Sequence, residues 1–370
     1  MTRAEEFAVK LERLRRWLAT TELRGVALRT RANFAWITCG GRSFVSRATD
    51  LGVGTVFITP DRVVLAANNI ELARFEAEEI GPDLPDFQYA EFPWHDPDGA
   101  TRVLDSLSGG GAYGVDAGPG QPNVANDVVQ LRNPLTTLEI DHYRQLGQAA
   151  GETTDAVCRQ IRPGMTELDV TSMVHAAFER QGIRVPVNLV AADERIDLRR
   201  HPIVTDHRID RRVMVVVGAE RRGLNASLTR LVDFTEPGGE LKIKHRAVCQ
   251  IDATANTATR PGRPICDVFA DIQAEYARQG FGDEWQYHHQ GGPTGYAGRD
   301  VLADAHTTQH VMANQAFAWN PSITGTKSED TILVTESGFD MLTAPGPDWP
   351  QLEIERDGVV LRRADILVAQ

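Results

Sequence analysis

The chain has 370 residues, 42% of them hydrophobic and 24% charged, with a formal net charge of -12. That length exceeds what one ordinary core organises and predicts two domains, and the composition is that of a folded rather than a disordered protein. The acidic balance argues against nucleic acid and anionic membrane as partners, because both need a basic surface.

In chain order, Phe7, Val9, Leu11, Leu14 and Leu18 recur at helical spacing, so residues 5–22 are predicted to open the chain as an amphipathic helix. Arg13-Leu14-Arg15-Arg16 then reads as part of its solvated face. Residues 25–29 and 33–38 read as short strands, the second closed by Gly40-Gly41. Residues 54–58 and 63–66 form a strand, turn and strand around Pro60-Asp61, and a helix is expected over 70–80. Weak strands at 87–92 and 112–115 complete a mixed sheet. Gly109-Gly110-Gly111 and Gly118-Pro119-Gly120 are turn chemistry, since neither runs from a strand into a helix with phosphate-binding spacing.

A domain boundary is expected at Leu131-Arg132-Asn133-Pro134, dividing residues 1–132 from 133–370. Beyond it a long helix is predicted over 137–161, with Glu139 and Asp141 near its start, where acids favour the helix dipole. Thr166 caps the next helix, which Gly182 stops. Strands at 185–191, 212–220 and 224–234, helices at 245–258 and 265–279, and strands at 317–321 and 331–334 follow. The longest apolar stretch, residues 213–217, is far short of the ~20 residues that span a bilayer. The N-terminus lacks the apolar core of a signal peptide. Cys39, Cys158, Cys249 and Cys266 are scattered, without a Cys-x-x-Cys pair. A cytoplasmic protein is the expectation.

Residues 132–334 resemble the creatinase, aminopeptidase P and prolidase superfamily. The resemblance rests on Leu131-Arg132-Asn133-Pro134 with Glu139, on Ile161-Arg162-Pro163-Gly164-Met165-Thr166-Glu167, and on His201-Pro202-Ile203-Val204-Thr205-Asp206. Arg31-Ala32-Asn33-Phe34-Ala35-Trp36 is similar to the superfamily's smaller N-terminal domain. The implied fold is α+β: a pita-bread C-terminal domain preceded by a smaller α/β creatinase-type domain.

Metal-dependent members hold two ions on five ligands, and here most of those positions differ. The two aspartates are replaced by Val216, in Val216-Val217-Gly218-Ala219, and by Ser227, in Ser227-Leu228-Thr229-Arg230. A glutamate is replaced by Asn320, in Trp319-Asn320-Pro321. The histidine is kept as His289, followed by Gly292, and the last glutamate as Glu329, with Lys327 in place of an arginine. Two close divalent ions need several anionic oxygens to offset their hydration loss and mutual repulsion, so neither metal nor another cofactor is expected.

Creatinase has the same fold and works without metal, using a histidine as proton shuttle. By that resemblance His289 is the general acid/base and Glu329 the catalytic carboxylate, holding a cationic or NH group of the substrate. Lys327 lies on the same strand face as Glu329, so an internal ion pair competes with that role. Neutral hydrogen bonds are expected from Asn320 and Ser227, a second polar contact from His201, and carboxylate binding from Arg299, with Tyr296 beside it. Lys327 and Trp319 complete the expected pocket. His288 is expected to face away from His289. The implied function is metal-independent attack on a C–N bond of a small polar amino-acid derivative, by a homodimer. A degenerate Xaa-Pro peptidase-type metallohydrolase and a non-catalytic pita-bread binding module remain the alternatives.

Overall fold

A computed structural model describes residues 1–118, 121–356 and 358–369. Pro119 and Gly120, part of the second expected turn, lie outside the described residues. The chain divides into two compact units, Met1–Glu139 and Ile140–Gln370.

In the first unit, Thr2 and Glu5 form a reciprocal capping box that starts α1 (Arg3–Leu18), whose apolar side is Phe7, Leu11, Leu14 and Leu18. Next come β1 (Val26–Thr30), α2 (Arg31–Ile37), β2 (Leu51–Ile58), β3 (Val63–Asn68), a short α3 (Leu72–Arg74) and β4 (Phe87–Phe92). The unit continues with α4 (Gly99–Leu107), β5 (Gly114–Val115) and α5 (Ala125–Arg132). The sheet order is β4-β3-β2-β1-β5, antiparallel through β1–β2 and β2–β3 and parallel at both edges. Phe57, Tyr113, Leu104 and Val115 share one of its buried clusters. Lys10 is fully buried, with its ammonium 2.7 Å from Glu6, 2.8 Å from Glu139 and 2.8 Å from the Trp36 carbonyl.

Two expectations fail in this unit. Residues 33–38 are not a strand. The Thr30 hydroxyl accepts from the Asn33 amide and caps α2, whose residues 33–37 are all buried. Burial on every side removes the helical stripe that sequence reading uses. The helix expected over 70–80 is only one α-turn, continuing as a π-helical turn over Phe75–Ile80.

In the second unit, α6 (Thr137–Cys158) leads to α7 (Glu167–Glu179), which Thr166 caps as predicted, with Asp169 closing the box. Strands β6 (Arg184–Ala192), β7 (Arg212–Arg221) and β8 (Leu224–Asp233) follow, with the short α8 (Glu194–Leu198) after β6. Arg222 and Gly223, both at positive φ, form the two-residue turn between β7 and β8. Then come α9 (Gly239–Ala258), α10 (Ile265–Arg278), β9 (Gly291–Thr294), β10 (Ala316–Trp319), β11 (Ser322–Ile323), β12 (Thr326–Lys327), β13 (Asp330–Val334) and β14 (Phe339–Met341). The unit ends with β15 (Gln351–Arg356), β16 (Val359–Ala364) and β17 (Leu367–Val368). One four-stranded sheet runs β17-β8-β7-β6 and a second β14-β13-β10-β9, beside the two-stranded pairs β11-β12 and β15-β16. Helices α9 and α10 contribute Val248, Ile251, Val268 and Ile272 to a core with Phe317, Trp319 and Ile332.

A buried charge lattice locks β13 to its surroundings. Arg230 reaches Asp155 (2.9 Å) and Asp330 (3.1 Å), and Arg363 reaches Asp330 (3.0 Å) and Asp252. Ser328 donates to Asp252 at 2.5 Å. Residues 328 and 330 are thereby fixed on either side of Glu329.

Among the described residues no helix is long and apolar enough to cross a membrane.

Candidate active site

His289 is delivered by a turn with little freedom. After a 3-10 turn (Glu284–Tyr287), His288 is extended and Gln290 is buried, its amide donating to the carbonyls of Trp285 (3.2 Å) and His288 (2.6 Å). The Tyr276 hydroxyl donates to Gln290 Oε1 at 2.9 Å. Gly291 and Gly292 then sit at φ +95° and +147°. A Cβ on Gly291 would lie 2.1 Å from the Ala318 carbonyl oxygen, and one on Gly292 2.5 Å from that of Val301. Only glycine permits this approach of β9 to β10, and it fixes the histidines just ahead of it.

His201 comes from the loop after α8, and one buried carboxylate pins that loop. Glu167, at the first position of α7, accepts from the amides of Ala192 (3.0 Å) and Thr205 (2.9 Å), from Arg195 Nε (2.8 Å) and from the Thr205 hydroxyl (2.8 Å). The result is a three-histidine cluster. His201 Nε2 and His288 Nε2 are 3.1 Å apart, and the His288 and His289 ring centres lie 4.5 Å apart. His288 therefore does not face away from His289, as an ideal strand would require. The backbone there is a turn leading into β9, and both rings gather with exposed His201.

Desolvation and nearby cations lower all three imidazoles. His289 is lowered to about 4 by desolvation and then by Arg299 and Lys327. His288 is lowered to about 2 by desolvation and then by Lys327, and His201 is lowered for the same two reasons.

Glu329 is already saturated. Lys327 Nζ lies 2.7 Å from Oε2, Arg299 Nη2 donates to Oε1 at 2.9 Å, and the Thr229 hydroxyl donates to Oε2 at 2.8 Å. Burial alone pushes this carboxyl up, but the two cations overcome it and hold Glu329 at about 2. Burial lowers Lys327, against the pull of Glu329. The internal pair, not an open carboxylate awaiting a cationic substrate group, is what the geometry contains.

Arg299 also donates to Ser227 Oγ at 3.2 Å, and Ser227 exchanges two backbone bonds with the Thr331 hydroxyl (2.8 and 3.0 Å). Asn320 is buried with Oδ1 lacking a protein partner among the described residues, as do His288 Nδ1, His289 Nδ1 and Arg299 Nε. Tyr296 is buried. Trp319 is a correction: it is fully buried, stacks on Phe317 (5.7 Å) and donates from Nε1 to Thr259 at 2.9 Å, so it packs the core rather than lining a pocket. Arg195 holds the His201 loop, and Arg200 bonds Ser322 and Thr324 (3.0 Å each) and pairs with Glu284. Beside His288 and Lys327 a small opening is lined by Arg199, Arg200, Met214 and Ser322 among others, with His289, Glu329 and Arg299 outside its lining. Sequence reading missed Thr229 and Glu167 as organisers, because neither is adjacent in sequence to what it holds.

A two-metal centre does not fit these residues. The Val216 side chain packs in an apolar cluster with Met214, Leu231 and Ile196. Both oxygens of Glu329 are engaged by fixed cations, and Asn320 and Ser227 are neutral. Added divalent charge meets Lys327 and Arg299 rather than a set of carboxylates.

The sequence profile of metallopeptidase family M24 matches residues 141–336. An uncharacterized peptidase of Staphylococcus aureus strain MW2 is 24% identical over 230 residues, covering 58% of this chain and 64% of that relative, so the chain spans under two thirds of its length. Among solved structures, dipeptidase PepE of Mycobacterium ulcerans superposes with a TM-score of 0.77 at 20% identity over 93% of this chain and 97% of that one. The prolidase of Pyrococcus horikoshii OT3 does so with 0.76 at 18% over 92% and 99%. These structures share the two-domain pita-bread architecture, and with the profile covering more than half of its length the chain belongs to metallopeptidase family M24.

Proposed function

We propose that this M24 member hydrolyses a C–N bond of a small polar amino-acid derivative without a metal centre, by a creatinase-like mechanism in which His289 moves the proton. The observation that carries the reading is a closed Lys327–Glu329–Arg299 triad, which leaves no open carboxylate beside neutral His289. A neutral imidazole takes a proton from water as the oxygen bonds to the substrate carbon. It then returns that proton to the nitrogen as the C–N bond breaks, so the proton count closes on one residue. Glu329 acts as a positioning residue that holds two cations in place. The triad carries one net positive charge, which suits a substrate carboxylate better than a cationic group. Asn320 and Ser227 supply neutral hydrogen bonds. A homodimer in the cytoplasm belongs to this reading, the location in keeping with four free thiols.

The test is turnover on N-acyl, amidino and N-alkyl amino acids by chelator-treated protein. Activity that chelation abolishes and metal restores would establish the peptidase-type metallohydrolase instead.

A further inference from the structure

We infer that His201, His288 and His289 form a mononuclear transition-metal site, separate in its ligand set from the family's two-metal centre. Each of the three offers one ring nitrogen, and these atoms lie within 4.8 Å of one another. A tetrahedral zinc ion with Zn–N bonds of about 2.0–2.1 Å sets its ligand nitrogens about 3.3–3.4 Å apart. The His201–His288 Nε2 pair, at 3.1 Å, already stands at that edge length. The other edges close by no more than about 1.5 Å, within the reach of small ring rotations.

A second observation is independent of that spacing. Nδ1 of His289 is buried without a protein partner among the described residues. Buried imidazole nitrogens are ordinarily satisfied, and a metal or its bound water supplies a partner for His289, whereas His288 meets the ion through Nε2. Three imidazoles select Zn²⁺, Ni²⁺ or Cu²⁺ over Mg²⁺ or Ca²⁺, which prefer oxygen. His201 is solvent-exposed, which leaves an open coordination position for water.

Lys327 and Arg299 share a single carboxylate, so the surroundings carry one net positive charge and affinity falls below that of closed structural sites. The expected Kd is on the order of 1 µM. One consequence rests on the hydrolase reading: an imidazole that ligates has no lone pair left to shuttle a proton. Metal would then inhibit rather than activate.

The experiment uses the full chain, free of any histidine tag, stripped with chelator and dialysed. Co²⁺ and Zn²⁺ are each titrated alone and followed by calorimetry, with the visible absorption of four- or five-coordinate Co²⁺ as a second readout. One equivalent is expected. His201→Ala, in an exposed loop where folding is not at risk, weakens binding by roughly 100-fold or more, beyond the 10–100-fold typical of losing an outer partner. His306→Ala, also exposed, leaves binding unchanged. Absence of saturable binding, two equivalents, or equal binding by His201→Ala overturns the inference. Each readout is binding, so failure here leaves the hydrolase reading standing, and failure to find turnover leaves this site standing.

Discussion

His289 meets its surroundings through charge. Desolvation and the neighbouring cations depress it to about 4, so it is neutral throughout the physiological range and ready to accept a proton. As pH falls through that value the base is lost, so the acid limb of kcat/KM is expected near pH 4 rather than near 6.5. Lys327→Met removes a positive charge that lowers His289, so the limb must move upward; a limb that stays put, measured on the folded variant, removes His289 as the base. His289→Ala is expected to lower kcat by roughly 10²–10⁴-fold, the span for a positioned acid/base group. Ser227→Ala should cost far less, since among the described residues the side-chain partner of that hydroxyl is Arg299 and not a base. Glu329→Gln is a folding variant before it is a catalytic one. Replacing the carboxylate leaves buried Lys327 and Arg299 without their counter-charge, a loss of about 3–5 kcal/mol in denaturant unfolding. A loss under about 1 kcal/mol would mean that the triad is not closed in solution.

At the level of elements, the site depends on segments whose own sequence says little about it. The His201 loop is set by Glu167, a helix-start residue that sequence reading places correctly at the Thr166 cap without revealing that its carboxylate faces inward. Glu167→Ala should destabilise the fold by about 3–5 kcal/mol through Arg195 and two amides left unpaired, and should raise amide exchange through residues 193–205. Normal protection there would show that other contacts hold the loop. The strands β7, β8, β10 and β13 and the helices α7 and α10 are legible because turn signals and apolar runs bound them on both sides. Three kinds of feature are not. Helix α2 is buried all round, so it has no stripe, and its β-branched and aromatic residues imitate a strand. The hairpin of β15 and β16 alternates charged and apolar residues too loosely to stand out. The His288–His201 contact depends on a turn geometry that adjacent residue types do not encode. Conversely, the expectation that Val216, Ser227 and Asn320 stand at metal-ligand positions needs only residue identity, so it can be formed from the sequence.

At the scale of the whole molecule, the rim of the histidine cluster bears on assembly. Leu198 is 61% exposed, Ile203 74% and Tyr287 66%, and each lies within three residues of His201 or His288. We propose that these exposed apolar side chains belong to a surface that another chain covers. A second copy of this chain is the proposed cover. Light scattering should then give twice the 40.8 kDa chain mass, and Ile203→Glu, which puts a charge into the covered rim, should shift the mass toward one chain at micromolar concentration. The same substitution leaves the second unit's core untouched, so its thermal unfolding midpoint at matched monomer state should change little. A wild-type chain that scatters as a monomer at micromolar concentration would remove the dimer.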